Sequence, residues 1–418
     1  MKRILGVIIA VLVLVVGALV GYKFVYKLSP RDFITDDTKF VYALENISSK
    51  DIDKYEALVA DDEVREVYEK YAKDFRKYIS SIYMVMDKEI TDMDMMQKLP
   101  GVFIADPGYA YIFAGSELEK KYEKLDNGIY VVKLTSGETV KNFYIKPYRG
   151  LLIISTDVEA IDPFIATHEH HAYRKNIENA LDENRDSLMG VAVYESPLTD
   201  DFGIKYVVYT GNIEDDMVIT DYTLYLNDAT KEMLKNTHDK RDLAKYVKKD
   251  DLYIAVDDAS KLEPIIFNPY VIGANVDREG IISFWKTVFG IDIRAMLKEI
   301  DGEAVFTLTD GPDFGGMIKL KKDSTIIRNM IGAIEQIIGA GEIAEIKNDT
   351  LLFGNMNPQE AEHKYNMPKG TFMFLEADIP YQEVDKDGKV NVLGQNGVIK
   401  VNIVLPEETA RKVIKEMQ

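Results

Sequence analysis

The chain contains no cysteine, which excludes disulfides, thiolate metal sites, cysteine nucleophiles and a cysteine-linked lipid anchor. Histidine and tryptophan are scarce, with five and one among 418 residues, so imidazole chemistry has few places to reside. No phosphate-binding glycine loop, Gly-x-Ser-x-Gly elbow or dinucleotide fingerprint occurs, which removes the commonest signatures of nucleotide and acyl-transfer enzymes. Basic charge is in deficit: 51 Lys and Arg stand against 70 Asp and Glu, for a net charge of −19. Residues 1–31 hold five basic residues (Lys2, Arg3, Lys23, Lys27, Arg31) and no acid, which leaves −24 on the rest of the chain. A body that acidic repels phosphate backbones, so no nucleic-acid partner is expected.

What is present is a long apolar run. Residues 4–21, ILGVIIAVLVLVVGALVG, carry no charge, follow Met-Lys-Arg and at helical rise nearly cross a hydrocarbon core. The run reads as an uncleaved signal anchor, a single-pass transmembrane helix over 4–21 within an anchor and juxtamembrane segment of 1–31; a cleaved signal is the alternative. The layout of a three-residue basic flank and a long trailing domain places residues 22–418 outside the cytoplasmic membrane, and makes the membrane a partner through this helix.

With 46% hydrophobic residues the remainder can bury a core. Phe40–Leu44 reads as a strand, and the apolar steps of three and four from Val64 through Tyr78, Ile79, Ile82 and Met86 read as one helical stripe. Short β runs follow, at 102–104, 109–113, 129–134, 143–145 and 151–154, then a polar helix over 171–186 and further strands at 189–194, 204–210 and 217–226. The second half repeats this order. Phe40-Val41-Tyr42-Ala43 matches Tyr253-Ile254-Ala255-Val256, Val102-Phe103 matches Val305-Phe306, and Leu151-Leu152-Ile153 matches Leu351-Leu352-Phe353. VITDYTLYLNDATKEMLK from Val218 also matches VIKVNIVLPEETARKVIK from Val398 without a gap. The expected fold class is therefore α+β: an N-terminal transmembrane helix followed by two similar α+β domains from an internal duplication, at 32–240 and 250–418.

The candidate chemistry is sparse. His168 and His171, in Thr167-His168-Glu169-His170-His171, would share a helix face and are candidates for a metal, although no carboxylate follows at a diagnostic spacing. Five methionines (Met84, Met86, Met93, Met95, Met96) could present soft thioethers or simply pack. Ser283 and Lys286 satisfy a Ser-x-x-Lys pattern without its companion signatures. Acidic pairs such as Asp215-Asp216 and Asp250-Asp251 fall at strand boundaries, where short polar side chains make turns.

The run FWKTVFGIDIRAMLKEIDGEAVFTL, residues 284–308, with Gly290-Ile291-Asp292 and Gly302-Glu303-Ala304, resembles a pattern in uncharacterised bacterial membrane-anchored envelope proteins built of tandem α+β units. The resemblance implies an extracytoplasmic, non-enzymatic protein and carries no catalytic site. The expected function is a membrane-anchored binding or scaffold protein of the bacterial envelope, with an envelope protein or a lipid as partner and no cofactor. A carrier of lipid or another apolar ligand is the first alternative, and a metal-dependent hydrolase centred on His168 and His171 the second.

Overall fold

The computed structural model describes residues 26–47, 79–87, 101–136, 139–168, 174–195, 202–267, 278–307, 315–322, 324–338, 344–354, 360–361, 364–379 and 388–417. These residues form eighteen strands and nine α-helices and divide into two compact units. The first takes residues up to Ser196 with 210–213 and 410–418, and the second takes 197–209 with 214–409.

In the first unit, Phe40–Leu44 (β1) lies between Ser81–Met86 (β2) and Val191–Tyr194 (β8), antiparallel to both. Val102–Asp106 (β3) pairs with β2 on one side and with Leu151–Ser155 (β7) on the other. Glu123–Lys124 (β4), Tyr130–Ser136 (β5) and Thr139–Tyr148 (β6) complete the order β8-β1-β2-β3-β7-β6-β5-β4. Tyr111–Lys121 (α1) follows β3, Val158–His168 (α2) packs on β3 and β7, and Lys175–Glu183 (α3) packs on β8.

In the second unit, Asp251–Ala255 (β11) lies between Ile300–Thr307 (β12) and Thr371–Ile379 (β16). From β12 the sheet continues through Gly315–Leu320 (β13) and Thr350–Gly354 (β15) to Ala344–Lys347 (β14). From β16 it continues through Gly388–Gln395 (β17) and Val398–Pro406 (β18) to Met217–Leu226 (β10). Ile204–Glu214 (β9) precedes β10 and is divided between the units. The helices are Asp228–Met233 (α4), Glu263–Ile266 (α5), Arg278–Phe289 (α6), Ile293–Glu299 (α7), Thr325–Ile338 (α8) and Glu407–Met417 (α9), the last lying across the division at residue 410. Six strands thus run in the same spatial order in each unit: β8-β1-β2-β3-β7-β6 in one, β16-β11-β12-β13-β15-β14 in the other.

Hairpin chemistry explains the tight connections. Asp215 and Asp216 have φ of 47° and 61°, Asn348 and Asp349 have 49° and 58°, and Asn396 and Gly397 have 52° and 75°. Two consecutive residues in the left-handed region make the turn whose twist matches antiparallel strands, and Asn, Asp and Gly tolerate it best.

Four expectations are corrected. The α+β class with an N-terminal transmembrane helix gives way to a sheet-dominated antiparallel architecture. The run 4–21 lies outside the described residues, and among those described no helix is long and apolar enough to cross a membrane, so the signal-anchor and single-pass reading is not supported. The longest such helix, α8, has 14 residues, about 21 Å against the ~30 Å of a hydrocarbon core. Residues 81–86, assigned to a helical stripe, form β2; paired on both edges, this strand buries residues on both faces, so its apolar run has no clean period of two. Residues 109–113, assigned to a strand, form a 3-10 turn over Gly108–Ala110 and the start of α1.

Candidate functional site

The site is built on four strands of the second unit. The registers of β16, β17, β18 and β10 align Leu375, Val392, Val401 and Tyr222 in one cross-strand row, and Ala377, Val390, Ile403 and Thr220 in the next. Alternation puts the intervening row on the opposite face: Glu376, Asn391, Asn402 and Asp221, where Asn402 Nδ2 donates to Asp221 Oδ1 at 2.8 Å. One face is therefore almost wholly apolar while the other is polar at its centre.

The apolar face is covered only in part. At its β11 end Ile254, Met373 and Ile399 pack with Leu262 and Ile265 around Phe372, Val256 and Leu234. Gly394 occupies this row because a Cβ there would stand 2.4 Å from the Phe372 ring. Beyond it, the residues of the two rows are all half-exposed. Tyr222 borders them, tilted at 5.2 Å against Tyr209, and burial raises its phenol pKa. Sheet faces of this composition are normally buried under another layer, so two half-exposed apolar rows are a surface equipped to receive an apolar group.

Each unit also buries a tyrosine beside a carboxylate. In the first, Tyr83 on β2 is 1% exposed and donates to Glu45, just past β1. Arg31 reaches the same carboxylate through Nε and Nη2, both at 3.1 Å, the Tyr83 oxygen at 3.1 Å, Glu178 at 3.2 Å and Asp182 at 2.7 Å. Burial opposes the guanidinium charge, but the bonds to Asp182 and Tyr83 and the charge of Glu45 outweigh it and raise the Arg31 pKa. Tyr83 is raised too, by burial first and by Glu45 second.

In the second unit Tyr253 on β11, also 1% exposed, lies 3.0 Å from Glu303 on β12 and donates to the Lys240 carbonyl at 2.9 Å. Glu303 accepts the backbone N–H of Leu243 at 2.6 Å and of Asp242 at 3.0 Å, pinning this segment to the sheet. Burial raises its pKa against the lowering effect of those bonds. Gly302 before it sits at φ +87° where a Cβ would meet the Val256 carbonyl at 2.1 Å, so the Gly-Glu-Ala run marks a bulge and a buried carboxyl.

The residues singled out from the sequence do not assemble into a reactive centre. His168 ends α2, 3% exposed, with Nδ1 on the Phe164 carbonyl and Nε2 on Asp87, each at 3.0 Å, and its ring stacked 4.1 Å from Phe164. Both ring nitrogens are engaged by protein oxygens. His171 lies outside the described residues. Among the described residues no group of three His, Asp or Glu is placed to hold a metal ion. Met84 and Met86 are buried in β2, while Met93, Met95 and Met96 lie outside the described residues. The Lys286 ammonium is bonded to Asp292 at 2.7 Å.

No family model matches the chain, and no curated protein does. Among solved structures, crystal forms I and III of TP0453 are similar at 8% identity and a TM-score of 0.32 each, covering 48% of this chain and 80% and 81% of theirs. Crystal form IV gives 0.31 at the same identity. A likeness of that depth carries no argument about this chain.

Proposed function

We propose that the protein works by binding rather than by catalysis, and that it receives an apolar ligand, such as a long acyl chain, on the half-buried apolar rows of the second unit's sheet. The observation that carries this reading is the pair of half-exposed cross-strand rows Leu375-Val392-Val401-Tyr222 and Ala377-Val390-Ile403-Thr220. A ligand lying across them would remove apolar surface from water on both partners, at about 25 cal/mol per Å2 before the costs of immobilisation. The polar groups around Tyr83 and Tyr253 bind one another, Arg31 or the backbone, in keeping with a scaffold that presents a surface.

The reading is tested by titrating the full chain with a fluorescent long-chain fatty acid. Saturable binding is expected, and Val401→Lys, a charge in the middle of the first row, is expected to weaken it about tenfold while far-ultraviolet circular dichroism stays unchanged. Ala377→Asp tests the second row should the lysine disturb folding. Equal affinity of folded variants and the parent would end the proposal.

A further inference from the structure

A cleft of about 320 Å3 separates α6 from α7, lined by Glu279, Ile282, Ser283 and Lys286 on the first helix and Asp292, Arg294, Ala295 and Lys298 on the second segment. It belongs to different elements from the apolar sheet face and stands independently of the proposal made for that face. The lining positions of α6 recur at steps of three, one and three, so they share one helix face.

Both carboxylates of the cleft are already neutralised. Glu279 binds Arg294, and Asp292 takes the Lys286 ammonium at 2.7 Å while capping α7 through the Ala295 N–H at 3.0 Å. Glu263 beneath them is chelated by Arg294 Nε and Nη2, each at 2.9 Å. These pairs leave donors over. Among the described residues Lys298 Nζ, Ser283 Oγ and Arg294 Nη1 have no acceptor, and all three belong to residues that line the cleft. The lining holds three cations and two carboxylates, and with Glu263 and Arg278, which also binds Glu263, the balance is four to three, a local positive excess in a chain of net charge −19.

We propose that this cleft is a binding site for a phosphate group. A tetrahedral dianion offers enough oxygens to accept from an ammonium, a hydroxyl and a guanidinium N–H arranged around one space, which a planar carboxylate of single charge does less well. Ile282 and Ala295 give the phosphate's organic substituent an apolar contact. The phosphate could be that of a soluble ester or of a lipid headgroup, and the chemistry of recognition is the same for both.

Trp285, the chain's single tryptophan, sits on α6 next to the cleft-lining Lys286 and provides a nearby fluorescent probe. In the full chain, glycerol phosphate at constant ionic strength is expected to change its fluorescence saturably, whereas acetate and chloride are not. If the source is a lipid, glycerol phosphate is silent and vesicles containing phosphatidic acid, whose headgroup is a phosphate monoester, produce the change, whereas phosphatidylcholine vesicles do not. In either arm Lys298→Gln is expected to weaken binding about tenfold, and Ser283→Ala to weaken it less, with unaltered thermal melting as the folding control. The proposal is overturned if neither probe gives a saturable change, if acetate matches glycerol phosphate, or if both folded variants bind as the parent does.

Discussion

The two units solve one problem in two ways. Each places a buried tyrosine diagonally from a carboxylate, half-buried at Glu45 and buried at Glu303, but the strands exchange roles. In the first unit Tyr83 lies on the second strand opposite Ala43 and Glu45 follows the first; in the second unit Tyr253 lies on the first strand opposite Val305 and Glu303 lies on the second. Glu45 is compensated by a cation, Arg31, which brings Glu178 and Asp182 into the same network. Glu303 is compensated by two backbone N–H groups and a phenol, which carry no charge. A cation compensates the charge of its carboxylate but becomes a liability if either partner is lost, whereas at Glu303 burial outweighs the neutral donors and raises the carboxyl pKa.

The largest effect is expected where that liability is greatest. Arg31→Met removes the guanidinium from Glu45, Glu178 and Asp182, and Arg185, 3.4 Å from Glu45 and exposed, compensates little. The variant should lose about 3 kcal/mol of stability, since breaking a buried pair leaves an uncompensated charge. Urea denaturation measures it. The double variant Arg31→Met/Glu45→Gln should recover part of the loss; a double variant less stable than the single one would show that Arg31 acts through packing and not through Glu45.

How far the sequence discloses this comparison depends on period and distance. The strands of 40–44, 151–155 and 251–255 are legible because apolar residues are bounded by turn residues, and the turns at Asp215-Asp216 and Asn396-Gly397 because their residue types tolerate positive φ. The match of Val102-Phe103 with Val305-Phe306 misleads: Val102 is on the third strand of its unit and Val305 on the second, since buried strands share composition whatever their place. Residues 214–240, grouped with the first unit by chain order, cluster with the second, where β10 pairs with β18 some 180 residues away and Glu303 clamps the following Asp242 and Leu243. The apolar face is half legible: alternation is plain over Ile399–Ile403, but its partial cover depends on where the helices stop. The Arg31 and Glu178 contact spans 147 residues, and no local pattern encodes it.

A smaller effect is expected where the donors are neutral. Glu303→Gln puts an amide NH2 against a backbone N–H of Asp242 or Leu243, at a cost of about 2 kcal/mol. The pH dependence has a fixed sign. Burial raises the Glu303 pKa above its ordinary value of 4.5, so its contribution to stability is fully present below that value and is lost as pH rises through the folded-state pKa. The stability difference between parent and Glu303→Gln should therefore be widest near pH 4 and narrow toward neutrality. A difference that widens with pH would contradict the raised pKa.

The finest test removes one oxygen from each unit. The Tyr83 hydroxyl joins two charged groups, accepting from Arg31 and donating to Glu45, whereas that of Tyr253 joins a carbonyl and a carboxyl that burial drives toward neutrality. Hydrogen bonds to charged groups are the stronger, so Tyr83→Phe should cost about 1.5 kcal/mol and Tyr253→Phe about 1 kcal/mol. Native-state hydrogen exchange of β2 and β11 amides reads each loss in its own unit. If the order is reversed, the carboxyl of Glu303 depends on its phenol more than on the backbone of Asp242 and Leu243, and the division between charged and dipolar compensation fails at the one atom that both units share.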